Sequence, residues 1–459
     1  MLQSLDPIVN LAKRRGFIFP DSEIYGGMAN AWDYGPLGVL LKNNLKREWW
    51  KFFVQSQPDM VGLDSAIIMN PRVWEASGHI ENFTDPLVEC KACHKRFRAD
   101  HLLEKESMTP GHEKEPMADL SKMRCPECDG ELTGTRQFNL MFKTHIGATE
   151  DQGAVAYLRP ELAAGMFTNF KLVADTMRLR IPFGIAQQGK AFRNEITTGN
   201  FIFRTREFDI MEFEYFVHPN DWEKHFERWL GEIKRWWTEV IKADWSHFYL
   251  HEIPDGERAH YSKRTVDIEY YYPFGLKELH GIAYRTDFDL KRHMEASGAD
   301  LRHRDPVSGE TYIPHVIEPT FGLDRLVLVT LLEHYSEVEG GRDEETKSKH
   351  EKEIVLRLPK NLAPISVAIL PLSKKEPLAT LGRDIQKTLS KHWMTQYDET
   401  GSIGKRYRRQ DEIGTPYCVT IDFDSLEDKK VTVRDRDTME QERVRIEELV
   451  DHLGERLKN

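Results

Sequence analysis

Three groups of side chains in this sequence of 459 residues have the types and spacing that chemistry needs. The fullest is Phe192-Arg193-Asn194-Glu195, a loop over 196–200 and a return over 201–216. Read as a strand, the return has a period of two. That period puts Arg204, Arg206, Phe208, Glu212 and Glu214 on one face and Phe201, Phe203, Met211, Phe213 and Tyr215 on the other. One face is then core and the other charged, and Arg193 and Glu195 share a face of the leading strand. Arginines, an aromatic ring and carboxylates on one antiparallel hairpin suit a substrate that is anionic, aromatic and amine-bearing. The same pattern also fits a solvent-facing strand with cross-strand ion pairs.

The second group is Glu318-Pro319-Thr320-Phe321-Gly322-Leu323-Asp324-Arg325, ahead of the apolar run Leu326-Val327-Leu328-Val329. Gly322 lets a ligand approach the backbone, and Arg325 at a helix start joins its own charge to the helix dipole, which favours phosphate. An arginine in a buried strand-turn-helix can equally be a structural cap. The third group is Cys90-x-x-Cys93 with Cys125-x-x-Cys128, two knuckles that each offer two thiolates to one tetrahedral zinc. Four thiolates close a structural site and leave His94 outside it; the bland alternative is two reduced, unliganded pairs. The fifth cysteine, Cys418 in Tyr417-Cys418-Val419-Thr420-Ile421, reads as a buried strand residue.

These groups need elements to hold them. Leu40, Leu41, Leu45, Trp49, Phe52 and Phe53 recur at helical spacing over 38–54, ahead of a strand-like run over 65–69 that stops at Asn70-Pro71. A polar stretch with Lys105, Glu106, Pro110 and Gly111 separates the knuckles and reads as a long loop or small insertion. From Val155 the chain reads as strand-rich. Over 221–243, Trp222, Phe226, Trp229, Ile233, Trp236, Trp237 and Val240 mark an amphipathic helix whose tryptophans belong to the core. The span 337–352, dense in Glu, Lys, Arg and Gly, reads as a solvated linker or mobile insertion. A buried strand at 365–370 then opens a small separate α/β domain.

A hydrophobic content of 40% supports cores for two or three domains and excludes a disordered or fibrous chain. The net charge of -11 argues against a generally basic nucleic-acid coat but leaves room for a local basic surface. Met1-Leu2-Gln3-Ser4-Leu5-Asp6-Pro7 lacks the basic and apolar regions of a signal peptide, and no apolar run has membrane-spanning length. The expectation is a cytoplasmic protein with no membrane partner and no disulfide framework.

Together these segments resemble the signature of class II aminoacyl-tRNA synthetases: 38–71 is similar to motif 1, 192–216 to motif 2 and 322–325 to motif 3. Arg159-Pro160-Glu161, 196–208, 281–290 and Ser402-Ile403-Gly404-Lys405-Arg406-Tyr407-Arg408-Arg409-Gln410 narrow the resemblance to the homodimeric glycyl-tRNA synthetases of bacterial type. The likeness runs from about Pro7 to Leu453. It implies an α+β fold: a class II catalytic domain of antiparallel sheet with helices over 1–358, and a C-terminal α/β anticodon-binding domain over 359–459. Within the first lie a zinc-ribbon-like insertion over 88–132 and a helical insertion over 218–260.

What the resemblance implies for function is activation of glycine with ATP and Mg²⁺, transfer to tRNA(Gly), and a self-paired dimer. Arg193, Arg325 and Glu278 would carry catalysis, Arg193 on the α-phosphate, Arg325 on the far phosphate and Glu278 toward ATP and its magnesium. Around ATP it sets Asn194, Glu195, Phe203, Arg204, Thr205, Arg206, Glu207, Phe208, Leu279, Gly322, Leu323 and Asp324, with Glu195 at the adenine amino group and Phe208 stacked on the base. Around glycine it sets Arg98, Glu161, Phe208, Asp209, Ile210, Met211, Glu212, Glu318, Pro319, Thr320, Phe321 and Gly322, with Glu161 and Glu212 receiving the ammonium group. Zinc on Cys90, Cys93, Cys125 and Cys128 would be structural, and the run 405–409 would meet tRNA phosphates and bases.

Three departures stand out. Leu162 and Ala164 replace a threonine and a glutamine usual in the family; Thr320 replaces a serine and keeps its hydroxyl; Lys277 and His280 replace a glycine and a tryptophan. Leu162 is expected to point into the core. The rival readings are a class II paralogue for another small amino acid, a non-catalytic RNA-binding paralogue, and a zinc-ribbon DNA-binding module that explains only a short piece of the chain.

Overall fold

The helix expected over 38–54 runs from Pro36 to Trp50 and continues as a single π-turn, Lys51–Gln55. Proline is at home in its first turn, where the missing N–H would have had no partner. Leu41, Leu45, Trp49 and Phe53 fall on one buried stripe. Gly38 lets that helix press against the preceding chain, since a Cβ there would lie 1.9 Å from the Phe17 carbonyl oxygen. These elements belong to a computed structural model that describes residues 2–100, 102–103, 123–148, 155–259, 261–339, 342 and 352–458.

The helix stripe packs on a seven-stranded sheet. Across it the strands run Phe248–Glu252, Arg264–Tyr272, Gly275–Thr286, His315–Gly322, Glu207–Val217, Phe183–Phe192 and Met60–Gly62. Neighbours are antiparallel except the last pair, in which Met60 lies beside Gly184 and runs parallel. The strand expected at 65–69 is absent; that stretch contributes only an isolated bridge from Ile68 to Leu158, and pairing is carried by Met60–Gly62 instead.

Two further expectations fail for reasons visible in the packing. The segment 201–206 is not strand: Phe201, Ile202 and Phe203 are all buried and form one 3₁₀ turn, so alternation starts only at Glu207. The even-numbered face of Glu207–Val217 is not open to solvent either. The helix Ala163–Met177, which strand-rich reading from Val155 did not foresee, lies over it with Met166, Phe167 and Phe170, and leaves Glu212 and Glu214 buried. Its periodic apolar positions were there to be read.

The odd-numbered face of that strand meets the helices Pro36–Trp50, Trp222–Arg235 and Leu323–His334. Trp229, Trp236 and Trp237 are fully buried there, as their helical spacing implied. The stretch 218–260 is more than a helical excursion, because its strand Phe248–Glu252 forms the sheet edge. Two strands, Tyr335–Val338 and Glu353–Leu356, pair at the ends of the charged span 337–352. Arg342 within it is docked on Glu353 at 2.9 Å; 340–341 and 343–351 lie outside the described residues, as do Lys105, Glu106, Pro110 and Gly111.

The C-terminal unit is a second sheet of five strands in the order Thr395–Tyr397, Val367–Pro371, Tyr417–Ile421, Lys430–Asp435 and Gln441–Arg445. The first three are parallel and the rest antiparallel, with the helices Leu378–Leu389, Ile403–Ile413 and Leu449–Leu457 packed around them. Cys418 is buried in its strand. No helix among the described residues is long and apolar enough to cross a membrane.

Candidate active site

Where the 193–206 loop meets the ends of the central strands, it encloses a cavity of about 310 Å³. Arg193 follows directly on the strand Phe183–Phe192. Its Nε donates to the Pro160 carbonyl at 3.1 Å, and its guanidinium carbon lies 5.3 Å from the ring centre of Phe83 and 5.5 Å from that of Phe208. Arg325 stands in the first turn of Leu323–His334 over the Phe203 ring at 4.4 Å, and donates to the Glu278 carbonyl at 2.9 Å. The Glu278 carboxylate is 3.2 Å from it, and Arg325 holds that carboxyl below its usual range.

Arg204 lines the same wall; burial opposes its charge, and Arg325 and Arg98 add to the opposition while Glu195 relieves it. Thr205, Leu279, Gly322 and Asp324, also expected around ATP, line the same cavity. A site that crowds guanidinium groups beside a half-buried phenylalanine is primed for a phosphate-bearing aromatic ligand. Arg98 enters from the cysteine-bearing module, on the strand Arg96–Arg98, and is held by Asp85 at 2.8 Å and Asp100 at 2.7 Å.

Carboxylates cluster under the helix Ala163–Met177. Glu161 is 8% exposed and lies 3.3 Å from His79; burial alone would raise its carboxyl, but His79, Arg285 and Arg193 outweigh that and hold it at about 2. Glu212 accepts from the Leu162 N–H at 3.0 Å and from the Thr320 hydroxyl at 2.7 Å. Glu318 accepts from Arg285 at 2.8 Å, and Arg285 also grips Asp289 through two bonds of 2.7 Å. A donor-fixed acidic box of this kind, with Glu161 held ionised, fits a small ammonium group.

Several expected residues turn elsewhere. Met211, Pro319 and Phe321 project to the opposite sheet face, and with Leu323 are buried on the side of the large core. Glu207 is exposed and pairs with Lys190. Asn194 and Arg206 enter through backbone bonds, the first from its N–H to the Leu140 carbonyl, the second accepting from the Arg193 N–H. Asp209 and Ile210 do line the cavity, but Asp209 is engaged by Lys42 at 2.6 Å and Lys46 at 2.8 Å. Asp324 accepts from the Asp209 N–H at 2.8 Å and from Tyr34. Both aspartates brace the pocket.

Phe83, Asp85, Leu140 and Ile202 line the cavity without having been foreseen, and nothing in their local spacing signals it. Arg285 and Asp289 were nearer to reach, as an i,i+4 pair of opposite charge inside the telling segment 281–290. His280 is buried between Trp237 and Phe321, with ring centres at 5.3 Å and 4.6 Å, and burial lowers its pKa to about 3. Leu162 packs in the core at 0% exposure and only its N–H reaches Glu212; Ala164 fills a small apolar cluster with Trp74 and Met141.

The four cysteines converge. Sγ atoms of Cys90 and Cys128 are 3.5 Å apart and those of Cys93 and Cys125 3.7 Å, near the edge of about 3.8 Å that a zinc tetrahedron with bonds of about 2.3 Å requires. The Cys93 N–H points to Cys90 Sγ at 3.4 Å, and a Cβ on Gly130 would lie 3.0 Å from that sulfur, so the knuckle backbone is shaped around the thiolates. His94 is outside, turned to Glu89 at 3.5 Å.

The basic run 405–409 is largely committed within its own domain. Arg406 is buried and donates to the Pro371 carbonyl at 2.6 Å, Tyr407 bonds Thr420 at 2.6 Å and Arg409 pairs with Asp398 at 2.7 Å, while Lys405 is exposed.

A largely antiparallel sheet that brings arginines from two separate segments to one cavity, followed by an α/β unit on a mixed sheet, is the architecture of a class II aminoacyl-tRNA synthetase. The chain matches the family profile described as "tRNA synthetase class II core domain (G, H, P, S and T)" over 142–335 and that of the "Anticodon binding domain" over 366–456. It is 52% identical to the glycine--tRNA ligase of Streptomyces coelicolor, with 99% of this chain and 98% of the relative aligned. It is 53% identical to those of Alkaliphilus metalliredigens and Geobacillus kaustophilus, covering 99% of both chains in the first case and 100% in the second. The chain belongs to the glycine--tRNA ligase family.

Proposed function

We propose that this protein joins glycine to the 3′ end of tRNA(Gly) in two steps, and the observation that carries the reading is the juxtaposition of the arginine-lined cavity with the buried acidic box. In the first step a glycine carboxylate oxygen attacks the α-phosphorus of ATP, an O–P bond forms, and the bond to pyrophosphate breaks. Arg193 neutralises the α-phosphate and Arg325 the terminal one, while Phe208 stacks on adenine and Glu195 accepts from its amino group. Positioning and charge neutralisation carry such a step, so no general base is assigned. Glu278 would hold Mg²⁺, which would supply further charge neutralisation beside the phosphates.

Glu161 and Glu212 grip the ammonium group, with Glu318 beside them and Arg98 reaching in from the cysteine module. A larger side chain is refused because the space beneath is already filled by buried carboxylates and Phe167. In the second step the terminal adenosine hydroxyl of tRNA attacks the glycyl carbonyl carbon and AMP leaves. Cys90, Cys93, Cys125 and Cys128 would hold a zinc ion that would tie the module carrying Arg98; the thiolate set and its spacing support zinc over a harder ion.

The division into a catalytic part over 1–358, with a zinc-binding insertion over 88–132, and an anticodon-binding part over 359–459 accords with the separate sheets. A dimer of two such chains working in the cytoplasm completes the reading. Incubation with ATP, labelled glycine and tRNA(Gly) should yield label esterified to tRNA; charging of tRNA(Gly) with another amino acid in preference to glycine would overturn it.

A further inference from the structure

The strand Glu207–Val217 carries one carboxyl group that this chemistry does not use. Glu214 is fully buried, and neither of its oxygens has a hydrogen-bond partner among the described residues. The register sets Glu212 opposite Thr320 and Tyr215 opposite Ile317, which puts Glu214 across from Glu318 on the neighbouring strand. One oxygen from each of Glu212, Glu214 and Glu318 lies within 4.8 Å of the others.

The groups that face Glu214 come from each element packed around it. Its own strand brings Glu212, which has two donors in the Leu162 N–H and the Thr320 hydroxyl. The strand His315–Gly322 brings Glu318, which has Arg285 at 2.8 Å. The helix Phe288–Ser297 brings Asp289, and Gly275–Thr286 brings Arg285, whose fork is already divided between Asp289 and Glu318. On the other side Ile185 stands opposite Glu214, and the covering helix places Phe167 against Arg285 at 5.3 Å. Glu214 alone of these four carboxyl groups faces no donor. Like charges opposite one another on adjacent strands repel, and a carboxylate buried without a donor is the costliest of the set to ionise.

We propose that Glu214 is a neutral carboxylic acid in the working enzyme and acts as a positioning residue, its hydroxyl hydrogen-bonding the Glu212–Glu318 pair so that both can stay ionised toward the substrate amine. A protonated acid at this position adds one donor to a cluster in which only Glu214 faces none. Burial, reinforced by the charge of Glu318, drives the Glu214 carboxyl well above the usual carboxylate range against the pull of Arg285. Burial also raises Glu212, and Glu318 strongly, but each of those two has donors that favour an anion, whereas Glu214 has none among the described residues.

The second half of the proposal rests on reading this pocket as the ammonium site, but the protonation state can be tested without any amino acid. Infrared difference spectra of the free enzyme, wild type minus Glu214→Gln at pH 7.5, should show a protonated-carboxyl carbonyl band in the wild type; its absence overturns the proposal. A carboxyl whose folded pKa exceeds its unfolded value costs stability as pH rises between the two. The melting temperature of Glu214→Gln relative to wild type should therefore climb from about pH 5 to about pH 8; a flat or falling difference contradicts it. In kinetics, Glu214→Gln keeps a neutral donor and should leave the glycine KM within about threefold of wild type. Glu214→Leu removes the donor and should raise it about tenfold or more with the ATP KM unchanged. A tenfold rise in Glu214→Gln, or an unchanged glycine KM in a folded Glu214→Leu, would refute the positioning role. If Glu214→Leu does not fold, the spectra and Glu214→Gln still decide.

Discussion

On the arginine-lined side of the cavity, the Arg193 side chain is held by a single hydrogen bond among the described residues and by two ring faces. In the acidic box, which adjoins that cavity through Thr320, Glu212 and Glu318 are buried beneath a helix and fixed by donors from three different segments. Arg193 keeps most of its side-chain N–H donors free for a ligand whose charge grows and moves during reaction, and Arg325, which already donates to the Phe203 and Glu278 carbonyls, keeps those that remain. The carboxylates have theirs assigned before any ligand arrives. On the function proposed above, the difference teaches how two adjoining regions serve two purposes: unspent donors neutralise a transition state, whereas a rigid, pre-paired acidic box selects a substrate.

The largest effect should come from the unspent donors. Arg193→Ala and Arg325→Ala should each lower adenylate formation by about a thousandfold or more, on the order of 4 kcal/mol, in protein that stays folded. Arg193→Lys should also be poor, because an ammonium cannot reproduce the planar fork. Near-normal pyrophosphate exchange by either alanine variant would erase the contrast between the two sides. Next comes the acidic box: Glu212→Gln should raise the glycine KM by about a hundredfold, roughly 2–3 kcal/mol, while the ATP KM stays close to wild type. A proportional rise in both would mean that the box is structural.

The sequence carried much of this. The helix under the sheet, the buried tryptophans of 221–243, the strand-turn-helix at Arg325 and the cysteine knuckles were legible because each has a periodic or spaced signature within a few residues. The enclosure of Glu212 and Glu214 was not, since alternating charge on a strand says nothing about what covers it; a helix from 163–177 decides that. Phe83 and Leu140 join the cavity from segments far away in the chain, which no local pattern announces. The run 405–409 misled in the other direction, because Arg406 and Arg409 spend their charge inside their own domain.

The link between the cysteine module and the cavity, through Arg98, gives a middle-sized effect. Purified protein should hold about one zinc per chain by elemental analysis. Its removal by chelation, or Cys125→Ser, should lower the melting temperature and cut kcat/KM about tenfold by loosening Arg98. Absence of zinc in protein prepared without chelator would remove this link. The smallest effect sharpens the amine side: Leu162→Thr should cost about 1–2 kcal/mol of stability by urea unfolding and change the glycine KM less than about twofold, because only the backbone of that residue meets Glu212. A large KM change would place its side chain in the pocket.

The central claim is that the box admits an ammonium group with nothing larger than glycine behind it. Pyrophosphate exchange measured with each amino acid in turn tests it most directly. Exchange with glycine alone is the predicted result, and comparable exchange with alanine or serine would contradict it.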